Sequence, residues 1–369
     1  MNIIVIKDKL KDGVDAVSRV AGDHPTLSIL KNILIEAEGD IIKLTATNLE
    51  VGMQYMVPGK VVSPGSLTVP ASLFSQLIGS IPYDRLNLTA KDGALEVTTD
   101  NYQASIQTTP AEEFPIMPKV NRDAVTVEVP GAVLKEALEQ TLAAAQYSEL
   151  RPELSSVLMK FGMDKIVFVA TDSFRLAEKT LLDSDFTATT SEEFQILIPL
   201  RSAETIVRII KDKPVKITRD GNQVLVATAG AEFISRLIDG SFPDYQAIIP
   251  KEFLAEVEVS REEMLSALKL TGVFSGASSE ITIKAASGKK AIELSSRDER
   301  VGENTYALPA KIKGDFEPLS FNAKYLGEGV KAASGKDITL KLNEPNRAAM
   351  IVPPKDDSYF YVVMPILKN

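Results

Sequence analysis

IIVIKDKLKDGV at residues 3–14, TVEVPGAVLKEAL at 126–138 and EVEVSREEMLSAL at 256–268 follow one pattern. Apolar and polar residues alternate over the first few positions, as in a half-buried strand. The apolar spacing then changes to three and four, as on one face of a helix. Val5, Val129 and Val259 hold the same place in the pattern, as do Leu10, Leu134 and Met264, and then Val14, Leu138 and Leu268. Their offsets are 124 and then 130 residues throughout. A strand-to-helix unit recurring at that interval is a repeat at the scale of a domain.

Working outward, ILIEAEGDIIKLTATN (33–48), VLMKFGMDKIVFVATD (157–172) and ITIKAASGKKAIELSS (281–296) each read as two strands joined by a tight turn. Ile33, Val157 and Ile281 are spaced by 124 and 124, so the connection before them is six residues shorter in the third copy. A second helix follows each pair, in TVPASLFSQLIGSI (68–81), LIPLRSAETIVRII (197–210) and SFNAKYLGEGVKAA (320–333), and further strand-like stretches follow each helix. The expectation is an α+β chain of three repeated modules, each with two helices and about eight strands, spanning 1–121, 122–252 and 253–369. The joins fall in FPIMPKVNRD (114–123) and FPDYQAIIPKEF (242–253), where paired prolines favour extended chain. Ser260 with Glu263 makes a capping-box pattern at a helix start.

A chain of 369 residues suits three modules near the usual domain size, and 44% hydrophobic with 25% charged residues is the balance of a folded globular protein. No apolar run approaches the roughly 18 residues of a spanning helix, and the first residues lack a signal-peptide layout, so a cytoplasmic protein with no membrane partner is expected. With no cysteine and one histidine, thiolate and multi-histidine metal sites are excluded. No metal and no cofactor are expected. Acidic residues outnumber basic ones, 50 to 41, so any nucleic-acid surface requires the basic groups to be gathered on one face.

Several helices carry such groups. In PLRSAETIVRIIKD (199–212), Ala203, Val207 and Ile210 form the expected apolar stripe, with Arg201, Arg208 and Lys211 opposite. Lys324 and Lys331 share a face with Glu328 between them, Lys11 and Arg19 flank Asp15, and Arg261 and Lys269 bracket the first helix of the third module. All are candidate phosphate contacts for such a surface, although each alone suits an ordinary solvated face. The segment Gly327-Glu-Gly329-Val-Lys-Ala332 loosely fits a dinucleotide fingerprint but falls inside a helix, and GxxxxGK[ST] is missing. Asp172 and Arg175 read as a local salt bridge, since no nucleophile and base accompany them. Repetition alone is equally compatible with an array of protein-binding modules.

VATDSFRL (169–176), FPDY (242–245) and YVVMPI (361–366), with HPTLSIL (24–30) and TVPA (68–71), carry a resemblance to the bacterial sliding clamp, the DNA polymerase III β subunit family. It spans the whole chain. The resemblance implies a non-catalytic processivity factor: two chains joined head to tail in a ring, helices lining the inside, around double-stranded DNA. Its implied partners are a second copy, the replicative polymerase catalytic subunit, a clamp-loader ATPase, and other polymerases and repair proteins. DNA contacts are implied at His24 and along Gln146, Ser148 and Arg151. The implied partner-peptide groove comprises Leu154, Thr171, Ser173, Phe174, Arg175, Leu176, Pro243, Ile248, Val362, Met364, Pro365 and Ile366. The implied dimer interface sets Ile106 and Thr108 against Val273 and Phe274 of the partner. Two departures, Phe174 where relatives often have histidine and Ala247 where some have arginine, make the groove more apolar here.

Overall fold

The computed structural model describes residues 1–22, 27–117, 120–121, 125–188 and 193–367. Among the described residues are six helices: α1 (Lys7–Ser18), α2 (Ala71–Ser80), α3 (Gly131–Leu142), α4 (Leu200–Ile209), α5 (Arg261–Gly272) and α6 (Ala323–Ala332). With 27 strands they run three times through one order: strand, helix, five strands, helix, three strands. Each copy therefore has nine strands rather than about eight. The additional strand is Lys60–Ser63, Thr187–Ala188 or Lys311–Gly314, each too short for alternation to reveal.

Two compact units result. The first comprises residues 1–132, 186–190 and 205–237, and the second 133–185, 191–204 and 238–369. The division runs through the central copy because sheet pairing crosses the repeat. In the first unit a five-stranded antiparallel sheet runs in the order Lys60–Ser63, Asn2–Ile6, Arg85–Lys91, Ala94–Thr98, Gln103–Gln107. Its nine-stranded sheet runs Thr187–Ala188, Thr126–Val129, Val215–Asp220, Gln223–Thr228, Ala231–Arg236, Val51–Pro58, Ile41–Thr47, Asn32–Glu38, Gly65–Pro70. The seam between copies is the antiparallel pairing of Ala231–Arg236 with Val51–Pro58, in register Ala231↔Tyr55 to Ser235↔Val51.

The second unit repeats the plan. Its nine-stranded sheet runs Phe194–Pro199, Ser156–Phe161, Lys165–Thr171, Arg175–Leu182, Tyr359–Val363, Ala349–Val352, Asp337–Leu342, Ala255–Ser260, Lys311–Gly314. Its seam pairs Arg175–Leu182 with Tyr359–Val363, in register Arg175↔Val363 to Lys179↔Tyr359. A four-stranded sheet runs Gly302–Pro309, Ala291–Asp298, Glu280–Ala285, Leu319–Asn322.

The helices bury the stripes that their spacing requires. α1 buries Leu10, Val14 and Val17, and α5 buries Met264, Ala267 and Leu268. Each such aliphatic side chain taken from water contributes about 1.5–3 kcal/mol. Along α4 and just beyond it, Ala203, Ile206 and Ile210 are buried while Val207 is half-buried, so the buried stripe is centred slightly to one side of the expected one. Two helix starts are capped by side chains: Ser260 Oγ accepts the Glu263 N–H, and Asn322 Oδ1 accepts the N–H groups of Lys324 and Tyr325. Gly329 of α6 lies against the Tyr361 ring, where a Cβ would stand 2.4 Å from the nearest ring carbon. Close packing accounts for the glycine, and α6 encloses Gly327 as well, so the loose dinucleotide pattern is a helix interior. Among the described residues no helix is long and apolar enough to cross a membrane.

Candidate functional site

Alternation sorts the residues of the second seam onto two faces. Ala177 joins Tyr359, Tyr361 and Val363 in the core beneath α5 and α6. Leu176, pointing the other way, joins Val362, Leu158, Val169, Leu197, Ala348 and Met350, with Tyr245 of the linker buried among them. Phe242 and Ile249 pack at the margin of the same cluster. Tyr245 is the anchor of the linker. Its ring meets Phe242 edge-on at 6.1 Å, and Lys160 Nζ lies 4.9 Å from its centroid. Burial pushes the Tyr245 hydroxyl pKa up and the Glu178 charge raises it further. Burial also raises the Glu178 carboxyl, against the opposing pull of Tyr245, Lys160 and Lys165.

The turn entering this seam is built from its own side chains. Asp172 Oδ1 accepts the N–H groups of Phe174 (2.9 Å) and Arg175 (3.0 Å). Thr171 Oγ1 donates to the Arg175 carbonyl at 2.7 Å and accepts the Ser173 N–H at 3.2 Å. These bonds hold Ser173 in the left-handed region, at φ 79°. Phe174 is thereby turned outward and is 60% exposed. The Met364 N–H donates to the Phe174 carbonyl at 2.9 Å, and Met364 is 40% exposed. Pro365 is buried and Ile366 half-buried, its N–H bonded to the Ser320 carbonyl at 2.7 Å.

Arg175 points inward and is only 7% exposed. Its Nε binds Asp172 at 2.9 Å, one terminal nitrogen binds Glu328 of α6, and the guanidinium sits 4.3 Å above the Tyr325 ring. Burial opposes its charge, but Tyr361, Glu328 and Asp172 outweigh that and hold it protonated. Asp172 and Arg175 are thus the local salt bridge their spacing suggests. At the other end of the seam the buried Lys179 donates to Ser358 Oγ (2.7 Å) and Asp356 (3.4 Å).

Of the groove residues expected from sequence, Leu176 and Val362 share one cluster, and Phe174 and Met364 are exposed. Leu154 is buried in the short turn Pro152–Leu154 outside that cluster, Thr171 is buried within the turn, Pro243 is half-buried, and Ile248 is exposed while its neighbour Ile249 packs inward. Tyr245, Met350 and Glu328 went unanticipated. Alternation along the strands marks Met350 as buried, but nothing in sequence marks Glu328 as the partner of Arg175, 153 residues away.

His24 lies outside the described residues. Lys11 pairs with Asp15 at 2.5 Å; that hydrogen bond and charge raise its pKa. Lys211 pairs with Asp12 at 3.0 Å. Arg19, Arg208, Lys324, Lys331 and Gln146 are exposed; Ser148 donates its N–H to Ser155 Oγ. Arg201 lies over the Tyr147 ring at 5.0 Å. Arg151 pairs with Glu153 and reaches Ser173 Oγ at 3.4 Å, so it borders the turn at 171–175. Arg261 is engaged with the Val330 and Lys331 carbonyls at the end of α6.

Three repeats of one two-helix, nine-strand module, linked by shared sheets, define the class as a clamp fold. The same fold is found in the crystal structures of the DNA polymerase sliding clamp from Bacillus subtilis (TM-score 0.90, 24% identity) and the DNA polymerase III beta subunit from Thermotoga maritima (TM-score 0.90, 25% identity), each matched over 100% of both chains. Family models match end to end: the DNA polymerase III beta subunit N-terminal domain at residues 1–118, central domain at 128–244 and C-terminal domain at 246–367. The curated relatives include the beta sliding clamp of Synechococcus elongatus, 28% identical over 99% of each chain, and that of Bacillus subtilis, 26% identical over 99% of each. The chain belongs to the DNA polymerase III beta subunit family. Its function is that of a DNA sliding clamp, a non-catalytic processivity factor.

Proposed function

We propose that two copies of this chain join head to tail into a ring that encircles duplex DNA and tethers polymerases through the groove at the second seam. The observation carrying this reading is the strand inventory. A nine-stranded sheet occurs twice, each time split between two copies of the repeat. The remaining sheets have five and four strands and end on open edges, Gln103–Gln107 and Gly302–Pro309. Pairing those edges between two chains makes a third nine-stranded sheet of the same kind and closes the ring. Val273 is exposed beside the second edge, and Phe274 lies against Gly302. Ile106 is 3% exposed, so it serves this contact through its backbone, with Thr108 just beyond the strand.

In this ring the modules are 1–121, 122–252 and 253–369. Lys11, Arg19, His24, Gln146, Ser148, Arg151, Arg201, Arg208, Lys211, Lys324 and Lys331 face the duplex and meet phosphates irrespective of sequence. The replicative polymerase, other polymerases and repair proteins insert apolar peptide side chains between Phe174 and Met364, above Leu176 and Val362. A separate loader ATPase opens the ring, and the protein works in the cytoplasm. The test is retention on nicked circular DNA after incubation with loader and ATP. Retention lost on cutting the circle once is expected; binding that ignores DNA topology would sink the ring.

A further inference from the structure

Glu328 lies between two clefts. It lines one with Arg175, Arg261 and Lys331, where Glu136 and Glu139 also stand, and a second with Lys269, Lys324 and Lys331, where it is the one carboxylate among the described residues. Its side chain is 51% exposed. Lys324 is four residues before it on α6 and Lys331 three after, the spacings at which helix side chains meet. Its ion pair nevertheless goes to Arg175.

That pair leads directly into the groove. Arg175 binds Asp172, and Asp172 holds the backbone of Phe174 and Arg175. Tyr325, one turn before Glu328, packs against both, with the guanidinium 4.3 Å from its centroid and the Phe174 ring 6.5 Å away. The exposed lip of the groove thus rests on α6 through Tyr325 and is fixed in orientation through Glu328.

We propose that Glu328 is a positioning residue for the partner groove, and that duplex DNA at Lys324 and Lys331 tightens peptide binding through it. This rests on the groove and DNA-facing surface assigned above. Without DNA, the two lysines compete with Arg175 for the Glu328 carboxylate. Phosphates that engage the lysines leave the carboxylate to Arg175, which locks the turn carrying Phe174. By linkage, bound peptide strengthens DNA contact by the same factor.

The test measures binding of a fluorescein-labelled leucine- and phenylalanine-containing peptide by anisotropy, with and without a short duplex at low salt, in the full chain. The unaltered chain is expected to bind peptide about fivefold tighter with duplex, the lower end of such couplings. Glu328→Gln is expected to bind more weakly and to ignore the duplex. A duplex response in Glu328→Gln equal to that of the unaltered chain, or none in the unaltered chain, overturns the proposal. Met364→Ala serves as the control: peptide affinity intact in that variant takes down the groove itself, and this inference with it.

Discussion

The two seams join equivalent strands in equivalent register, yet they differ in what they bury. At the first, Ala231–Arg236 against Val51–Pro58, the buried side chains include Phe233, Ile234, Met53 and Val57, with Ser235 bonded to the neighbouring Arg236 carbonyl. At the second, Arg175 and Lys179 are buried four residues apart on one face; each binds a carboxylate from a distant part of the chain, Glu328 and Asp356 respectively, and Arg175 binds the local Asp172 as well. Antiparallel pairing and apolar burial are enough to hold copies together. Buried cations add little net stability, because desolvation offsets most of the attraction. Arg175 is tied through Asp172 to the turn at Phe174, whereas Lys179 ties the far end of the seam to Asp356 and Ser358.

This contrast is broken most severely by Arg175→Ala. Asp172 is left buried without its partner, and a loss of about 3–5 kcal/mol in unfolding free energy is expected, measured by denaturant titration. A loss below about 1 kcal/mol would mean the network is incidental. Next, Met364→Ala at the second seam is expected to weaken peptide binding by about 2 kcal/mol, as loss of an anchor does. Met53→Ala at the first seam is expected to leave peptide affinity unchanged; equal effects would erase the functional difference between them. The smallest effect concerns Asp356. Burial disfavours its charge, but donors from Ser358 and the Lys179 ammonium outweigh this and hold its pKa below the ordinary 3.8. A depressed carboxyl contributes stability above its unfolded pKa and loses it as pH falls through the folded value. Asp356→Asn is therefore expected to flatten the stability profile below about pH 4, with no such change for substitutions at the first seam.

Much of this was legible in the sequence because period and repetition are local signals. Val5, Val129 and Val259 are all buried, as are Leu10, Leu134 and Met264, and Ile33, Val157 and Ile281. Alternation equally places Leu176 and Val362 on one side of their strands and Arg175 on the other. What stayed illegible was pairing at long range. No local pattern says that Ala231–Arg236 meets Val51–Pro58, or that Arg175 pairs with Glu328. Ile106 shows how period two works at an edge: its side chain turns into the core, which leaves the backbone of its strand as the part that could meet a partner.

The passage of the unit boundary through the central copy has a consequence for inheritance and for engineering. What was duplicated and what folds are different segments. A fragment cut at residue 121 would carry one complete copy yet strip Val51–Pro58 of its partner strand, baring an apolar edge prone to aggregation. Cutting where the sequence repeats severs a sheet. Three repeats by element order thus form two blocks by compactness, and unfolding is expected to proceed by those blocks rather than repeat by repeat.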